Sequence, residues 1–260
     1  MAFNPAPASA ASAASAATAA AAATAPPSRR VVDAPTRMFH WLFALCFVGA
    51  YATADSESWR LLHLTLGYSL AGLLGFRLLY GMVGPRHARL SLMWRKLAGL
   101  PAWLSSLKPG QAGGWAQLTG RHGQNLLMAL AISAMLALVL PLTLSGYLNY
   151  NEVGGDWTEE LHELAGNALL VLVLGHLGLL LLLSLLRRKN QALPMLTGRT
   201  PGPGPDLVRH NARWLAGLLL VAVLGYWTWE WQQAVNAAPV LQTSGRLQGE
   251  GEDHDQDTDD

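Results

Sequence analysis

Apolar residues in this chain gather into long unbroken runs rather than alternating with polar ones. Five runs stand out, at roughly 38–54, 61–83, 125–149, 161–186 and 214–234. A helix that crosses a bilayer needs about 20 mostly apolar residues, so each run predicts one transmembrane helix. The first run is the shortest and the fourth the most hydrophobic. Each carries small residues suited to close helix packing, and Gly67, Gly72 and Gly75 make a small-residue stripe in the second. No segment shows the period-2 pattern of a strand. The expected fold class is therefore all-α, an integral membrane helical bundle.

The segments outside the runs read differently. Residues 1–30 are Ala, Ser, Thr and Pro with no charge before Arg29, which predicts a disordered tail. They lack the basic start and leucine-class core of a signal peptide. Residues 200–213 open on a Pro/Gly cluster and read as a linker. Residues 235–260 end in a strongly acidic stretch, expected to be a solvated tail, with His254 exposed within it. The loop 84–122 mixes Trp94, Trp103 and Trp115 with basic and apolar residues, the composition of an amphipathic helix lying at a membrane surface.

Composition sharpens this picture. The 260 residues are 51% hydrophobic and 13% charged, about half the charge of a soluble domain. The 18 basic and 17 acidic side chains nearly cancel but are segregated. Fifteen basic residues fall before the first run or in the loops 84–122 and 187–213. Asp55, Glu57, Glu152, Asp156, Glu159, Glu160 and the acidic tail fall on the other side. A soluble bundle does not predict that asymmetry. The positive-inside rule places the N-terminus in the cytoplasm and the C-terminus in the periplasm of a bacterial inner membrane. The bilayer is then the first partner, and no nucleic acid is expected. A single cysteine, Cys46, excludes an intrachain disulfide and a cysteine-held zinc or iron–sulfur site.

Ionisable residues inside membrane spans are costly and mark function. Four histidines lie in spans: His40, His63, His162 and His176. His162 and His176 are fourteen residues apart, close to four helical turns, so they share a face at a separation of about 21 Å. By the topology, His162 is level with His63 and His176 with His40. Facing neutral imidazoles suit the two axial positions of a haem iron and leave no site for oxygen. Gly166 and Gly175 would make room for the porphyrins. A histidine-based metal or proton transporter is the rival, although such proteins usually add intramembrane acids. A haemless membrane anchor is a third reading. Arg77, near the cytoplasmic end of the second span, either snorkels to the interface or pairs with a haem propionate. His87 and His210 are expected to face solvent, and His122 to cap a helix.

Four patches resemble bacterial membrane-bound b-type cytochromes, the family that joins prokaryotic cytochrome b561 with the b-type subunits of nickel–iron hydrogenases. They are Asp33-Ala34-Pro35-Thr36-Arg37-Met38-Phe39-His40-Trp41; Phe76-Arg77-Leu78-Leu79-Tyr80-Gly81 with Gly84-Pro85-Arg86-His87-Ala88-Arg89; His162-Glu163 with Asn167 and His176; and Met195-Leu196-Thr197-Gly198-Arg199. The resemblance covers roughly residues 31–199 and implies a four-helix haem-binding core, with 214–234 a fifth transmembrane helix. It implies two haem b groups with His40, His63, His162 and His176 as axial ligands, His40 pairing with His176 and His63 with His162. It also implies an electron-transfer cytochrome rather than a stand-alone enzyme. Its traffic would run between the quinone pool, with quinone or quinol as substrate, and an outer-side redox protein such as a c-type cytochrome or a hydrogenase. The chain departs from the family pattern before the third span, where Gly120-Arg121-His122-Gly123-Gln124-Asn125 keeps the histidine and loses a proline. Lys189 stands where the family usually has an acid.

Overall fold

A computed structural model describes residues 27–105 and 120–252, with the side chains of 121–122 and 238–252 excepted. The tail 1–26, the segment 106–119 with Lys108 and Trp115, and the last eight residues with His254 lie outside the described residues. The helices are α1 (Ala34–Ala52), α2 (Arg60–Val83), α3 (Leu90–Leu97), α4 (Leu100–Ser105), α5 (Arg121–Tyr150), α6 (Asp156–Arg187), α7 (Leu193–Thr197) and α8 (Arg213–Glu252). Short 3-10 turns at Glu57–Trp59 and Arg86–Ala88 flank α2. The chain is an all-α membrane bundle.

Helices begin where their caps lie rather than where the apolar runs begin. Asp33 caps α1: its Oδ1 accepts the Thr36 amide at 3.0 Å, and Pro35 stands in the first turn, where its missing N–H does no harm. The helix therefore starts four residues before the run at 38. α6 starts at Asp156, five residues before its run, with Asp156 and Glu159 in a first turn that favours negative charge. Pro141 lies inside α5 without ending it. α8 runs on through Glu252, past the expected end of the fifth span at 234 and into the expected acidic tail. Gln, Ala, Leu and Arg, all good helix formers, carry it there.

Two antiparallel hairpins, α1–α2 and α5–α6, join along the α2–α5 seam, and α8 packs on α1 and α2. Trp227 of α8 donates its Nε1–H to Ser69 Oγ of α2 at 2.8 Å. The core along these seams includes Leu42, Cys46, Leu73, Val139 and Leu169. α6 is different. Its backbone lies close to α5 but makes no extensive contact with α1 or α2. Leu174, Leu177, Leu181 and Leu185 on α6 are each more than half exposed. Such a row is untenable in water and natural among lipid tails.

By length and composition, Glu57–Val83, Gly123–Tyr150 and Asp156–Arg187 can cross a membrane. The sequence predicts five such helices. Among the described residues, α1 and α8 fall short of the same standard. α1 dilutes its apolar run with Pro35, Arg37 and His40, and α8 with Trp, Tyr, Glu and Gln.

A two-stranded antiparallel pair, β1 (Ser28–Arg30) with β2 (Arg199–Pro201), corrects two expectations. The chain does contain strand, and the last residues of the expected 1–30 tail and the start of the expected 200–213 linker are ordered by it. Three-residue strands are too short to show an alternating pattern, and their pairing is a long-range event. The surface helix expected in 84–122 is present as α3. Its Leu90, Met93 and Leu97 are half-buried, while Trp94, Arg95 and Lys96 are exposed.

Candidate functional site

His63 stands in the first turn of α2, beside the last turn of α1. The Ala50 carbonyl there accepts the Thr53 amide and hydroxyl, both at 3.2 Å, and its second lone pair accepts His63 Nδ1–H at 2.8 Å. A carbonyl can only accept, so Nδ1 carries the proton and Nε2 keeps its lone pair. His162 follows the same logic on α6. Its Nδ1–H donates to Leu142 O of α5 at 3.0 Å, with Ser145 Oγ at 3.5 Å. Locking one ring nitrogen on a backbone carbonyl is the usual way a metal-binding histidine is oriented. The two rings meet edge to face with centroids 6.1 Å apart. Two imidazoles on opposite sides of one metal, with bonds of about 2.0–2.1 Å, have centroids roughly 6.3 Å apart, close to the separation of this pair.

Gly146 makes this arrangement possible. A Cβ at that position would lie 2.8 Å from His162 Cε1 and 2.9 Å from Nδ1. Sequence reasoning passed over Gly146, and the only signal was a small Ser145-Gly146 pair in an otherwise bulky run.

His40 lies in the second turn of α1 and His176 fourteen residues beyond His162 on α6. Each has a buried Nδ1 with no hydrogen-bond partner. Orphaned buried polar atoms are rare in a finished interior, and two of them here are suited to an added group. The space agrees: a Cβ on Gly175 would meet nothing within 4 Å, and one on Gly166 only Leu142 Cδ1 at 3.7 Å. Tyr51 of α1 donates to Asn167 Oδ1 of α6 at 3.0 Å, a polar tie between two helices that otherwise stand apart. Among the described residues, no three His, Cys, Asp or Glu side chains gather into a chelating group.

Three of the four patches that carry the resemblance converge at the basic end. Arg37 Nη1 donates to Leu196 O at 2.9 Å and Trp41 Nε1 to Met195 O at 3.1 Å, tying the segment after α6 to the start of α1. Gly198, at φ +77°, takes a left-handed turn that lets its carbonyl accept the Val31 and Val32 amides. Asp33 is fully buried. Besides capping α1, it accepts through Oδ2 from Tyr80 Oη at 2.5 Å and from His87 Nε2 at 2.8 Å. Burial alone would raise the Asp33 carboxyl, but hydrogen bonds from Thr36, Tyr80 and His87 outweigh it and hold the group below its ordinary value. His87 is thus a partner of a buried carboxylate. The expectation of a solvent-facing histidine is corrected, because its acceptor lies 54 residues away and leaves no local trace. His210 is exposed as expected. His122 lies at the start of α5, and its side chain is outside the described residues. Arg77 Nη1 donates to Ala88 O at 3.0 Å, using one of five guanidinium donors.

The model of the family described as Prokaryotic cytochrome b561 matches residues 31–198. No curated protein and no solved structure matches the chain. The family match spans α1 to α7 and ends before α8. Covering more than half of the sequence, it establishes that the chain belongs to the prokaryotic cytochrome b561 family, membrane proteins that transfer electrons through haem b.

Proposed function

We propose that the chain carries electrons across a bacterial inner membrane through two haem b groups, one held by His63 and His162 and the other by His40 and His176. The observation that carries the proposal is the His63–His162 pair. Both rings are fixed through Nδ1, both Nε2 atoms are unengaged, and the centroids are 6.1 Å apart. The second level is supported by the fourteen-residue spacing that puts His176 on the His162 face of α6.

Bound between two imidazoles, haem iron supplies one-electron transfer with no position open to oxygen. The protein's part is positional. The last turn of α1 aims His63, and the Leu142 carbonyl and Gly146 aim His162. Gly166 and Gly175 on α6 would leave room for a flat macrocycle. The free donors of Arg77 suit a propionate near the basic end. Five crossings by α1, α2, α5, α6 and α8 would put the basic ends in the cytoplasm and the C-terminus in the periplasm.

The electrons would pass between the quinone pool and an outer-side protein such as a c-type cytochrome or a hydrogenase. Asp55, Glu57, Glu152, Asp156, Glu159 and Glu160 are all exposed at the end of the bundle that carries His63 and His162. Such a face attracts a basic partner by long-range steering. A metal transporter would need a chelating group, which the described residues do not assemble. A haemless anchor would leave the paired imidazoles without a role.

A redox-titrated visible spectrum of the purified full chain tests the proposal. The expected result is a reduced b-type spectrum, two haems per chain and two potentials. One haem per chain would remove the second level. A colourless protein that binds divalent metal would replace the reading with transport, and one that binds neither would leave the anchor.

A further inference from the structure

A cavity of about 670 Å3 opens at the basic end of the bundle, between the end of α2, the 3-10 turn Arg86–Ala88 and the stretch that leads into α8. Its walls combine cationic and apolar groups: Arg86, Arg209 and His210 with Leu207, Trp214 and Leu215. No acidic residue lines it. The nearby carboxylates are already engaged. Asp206 Oδ1 accepts the Arg30 amide at 2.6 Å, and Asp33 is buried behind His87 and Tyr80. Arg86 and Arg209 make no side-chain hydrogen bond or ion pair with the described residues.

The wall is held in place. The amides of Leu207 and Val208 donate to Arg30 O at 2.9 and 3.4 Å, the Ala34 amide donates to Asn211 Oδ1 at 3.0 Å, and Val208 is fully buried. Trp214, 72% exposed at the start of α8, would meet lipid headgroups on the proposed topology. Two unneutralised guanidinium groups above an apolar wall, at the membrane surface, are complementary to an anion that carries its own hydrocarbon.

We infer that this cavity binds the headgroup of an anionic phospholipid, its phosphate between Arg86 and Arg209 and its acyl chains along Leu207, Trp214 and Leu215. The inference concerns none of the histidines proposed as haem ligands; it rests on the proposed membrane topology, and lipid adducts report on it separately from haem content.

The test is native mass spectrometry of the haem-loaded full chain, released from mixed micelles containing phosphatidylglycerol or phosphatidylcholine. Two arginine contacts predict a preference for phosphatidylglycerol of about tenfold or more. In the Arg86→Gln/Arg209→Gln variant that preference should fall close to that for phosphatidylcholine. An Arg95→Gln/Lys96→Gln control on the exposed face of α3 should keep it. The visible spectrum of each variant checks that the bundle is intact. If the double variant retains the preference, or the control loses it equally, diffuse surface charge is responsible and the site is refuted. Occupation of the site by inorganic phosphate, with no preference for phosphatidylglycerol, would make the ligand a free anion and overturn the lipid assignment. Displacement by a short-chain quinone with no lipid preference would overturn it in favour of a redox ligand.

Discussion

Replacing Gly146 with alanine isolates the orientation of one imidazole from the stability of the bundle. The new methyl would sit 2.8 Å from His162 Cε1 and 2.9 Å from Nδ1. In a close-packed interior the ring must withdraw by roughly half an ångström or more. α5 backbone lies on one side of it, so the withdrawal stretches the 3.0 Å bond from Nδ1 to Leu142 O. Loosening that bond and overpacking its surroundings cost about 1–3 kcal/mol. That corresponds to roughly five- to a hundred-and-fiftyfold weaker binding of whatever Nε2 holds. The helix itself gains, because alanine is about 1 kcal/mol better than glycine in a helix interior. The thermal midpoint of α5 packing should therefore not fall in step with the loss. Haem per chain by pyridine haemochrome, with the reduced-minus-oxidised spectrum, reads the outcome. The expected result is depletion or a shifted potential of one haem while the other keeps its occupancy and potential. Two haems at full occupancy with unchanged spectra and potentials would refute the role assigned to Gly146. Equal loss of both haems would show general misfolding instead of a local effect.

Other outcomes follow from the same geometry. His162→Ala should lose the haem at the acidic end and largely keep the other, and His176→Ala should do the reverse; loss of neither in either variant overturns the ligand assignment. Asp33→Ala removes a helix cap and strands the Tyr80 hydroxyl, so the full chain should lose about 2–4 kcal/mol in denaturant titrations. Because folding lowers the Asp33 carboxyl, its contribution is fully present above the ordinary value of 3.8 and disappears as pH falls through the lowered one. Asp33→Asn should accordingly flatten the acid limb of a stability–pH profile, and an unchanged limb would contradict that. Raising ionic strength should slow electron exchange with a basic outer-side partner, and a salt-independent rate would exclude steering by the acidic face.

The helical character of the chain was readable because burial in lipid imposes long apolar runs, and α2, α5 and α6 enclose three of those runs. Their ends were not readable, since caps such as Asp33 and the first turn of α6 extend helices into polar sequence. The strand pair escaped notice for a related reason: its stability comes from ties such as Val31 N to Gly198 O, which join residues far apart in the chain. Periodicity also placed His162 and His176 on one face of α6. What it lacked was the partner of each Nδ1, which decides tautomer and aim and belongs to another helix in both resolved cases, Ala50 and Leu142. His87 and Gly146 were missed in the same way, because the meaning of each rests on a single atom of a distant segment.

The helix that offers two imidazoles has protein backbone close on one flank only. On the proposed reading, porphyrins held by the imidazoles would brace the other flank, adding to the hydrogen bond from Tyr51 to Asn167. A variant unable to hold one of them should then show faster amide exchange in α6 than the parent protein.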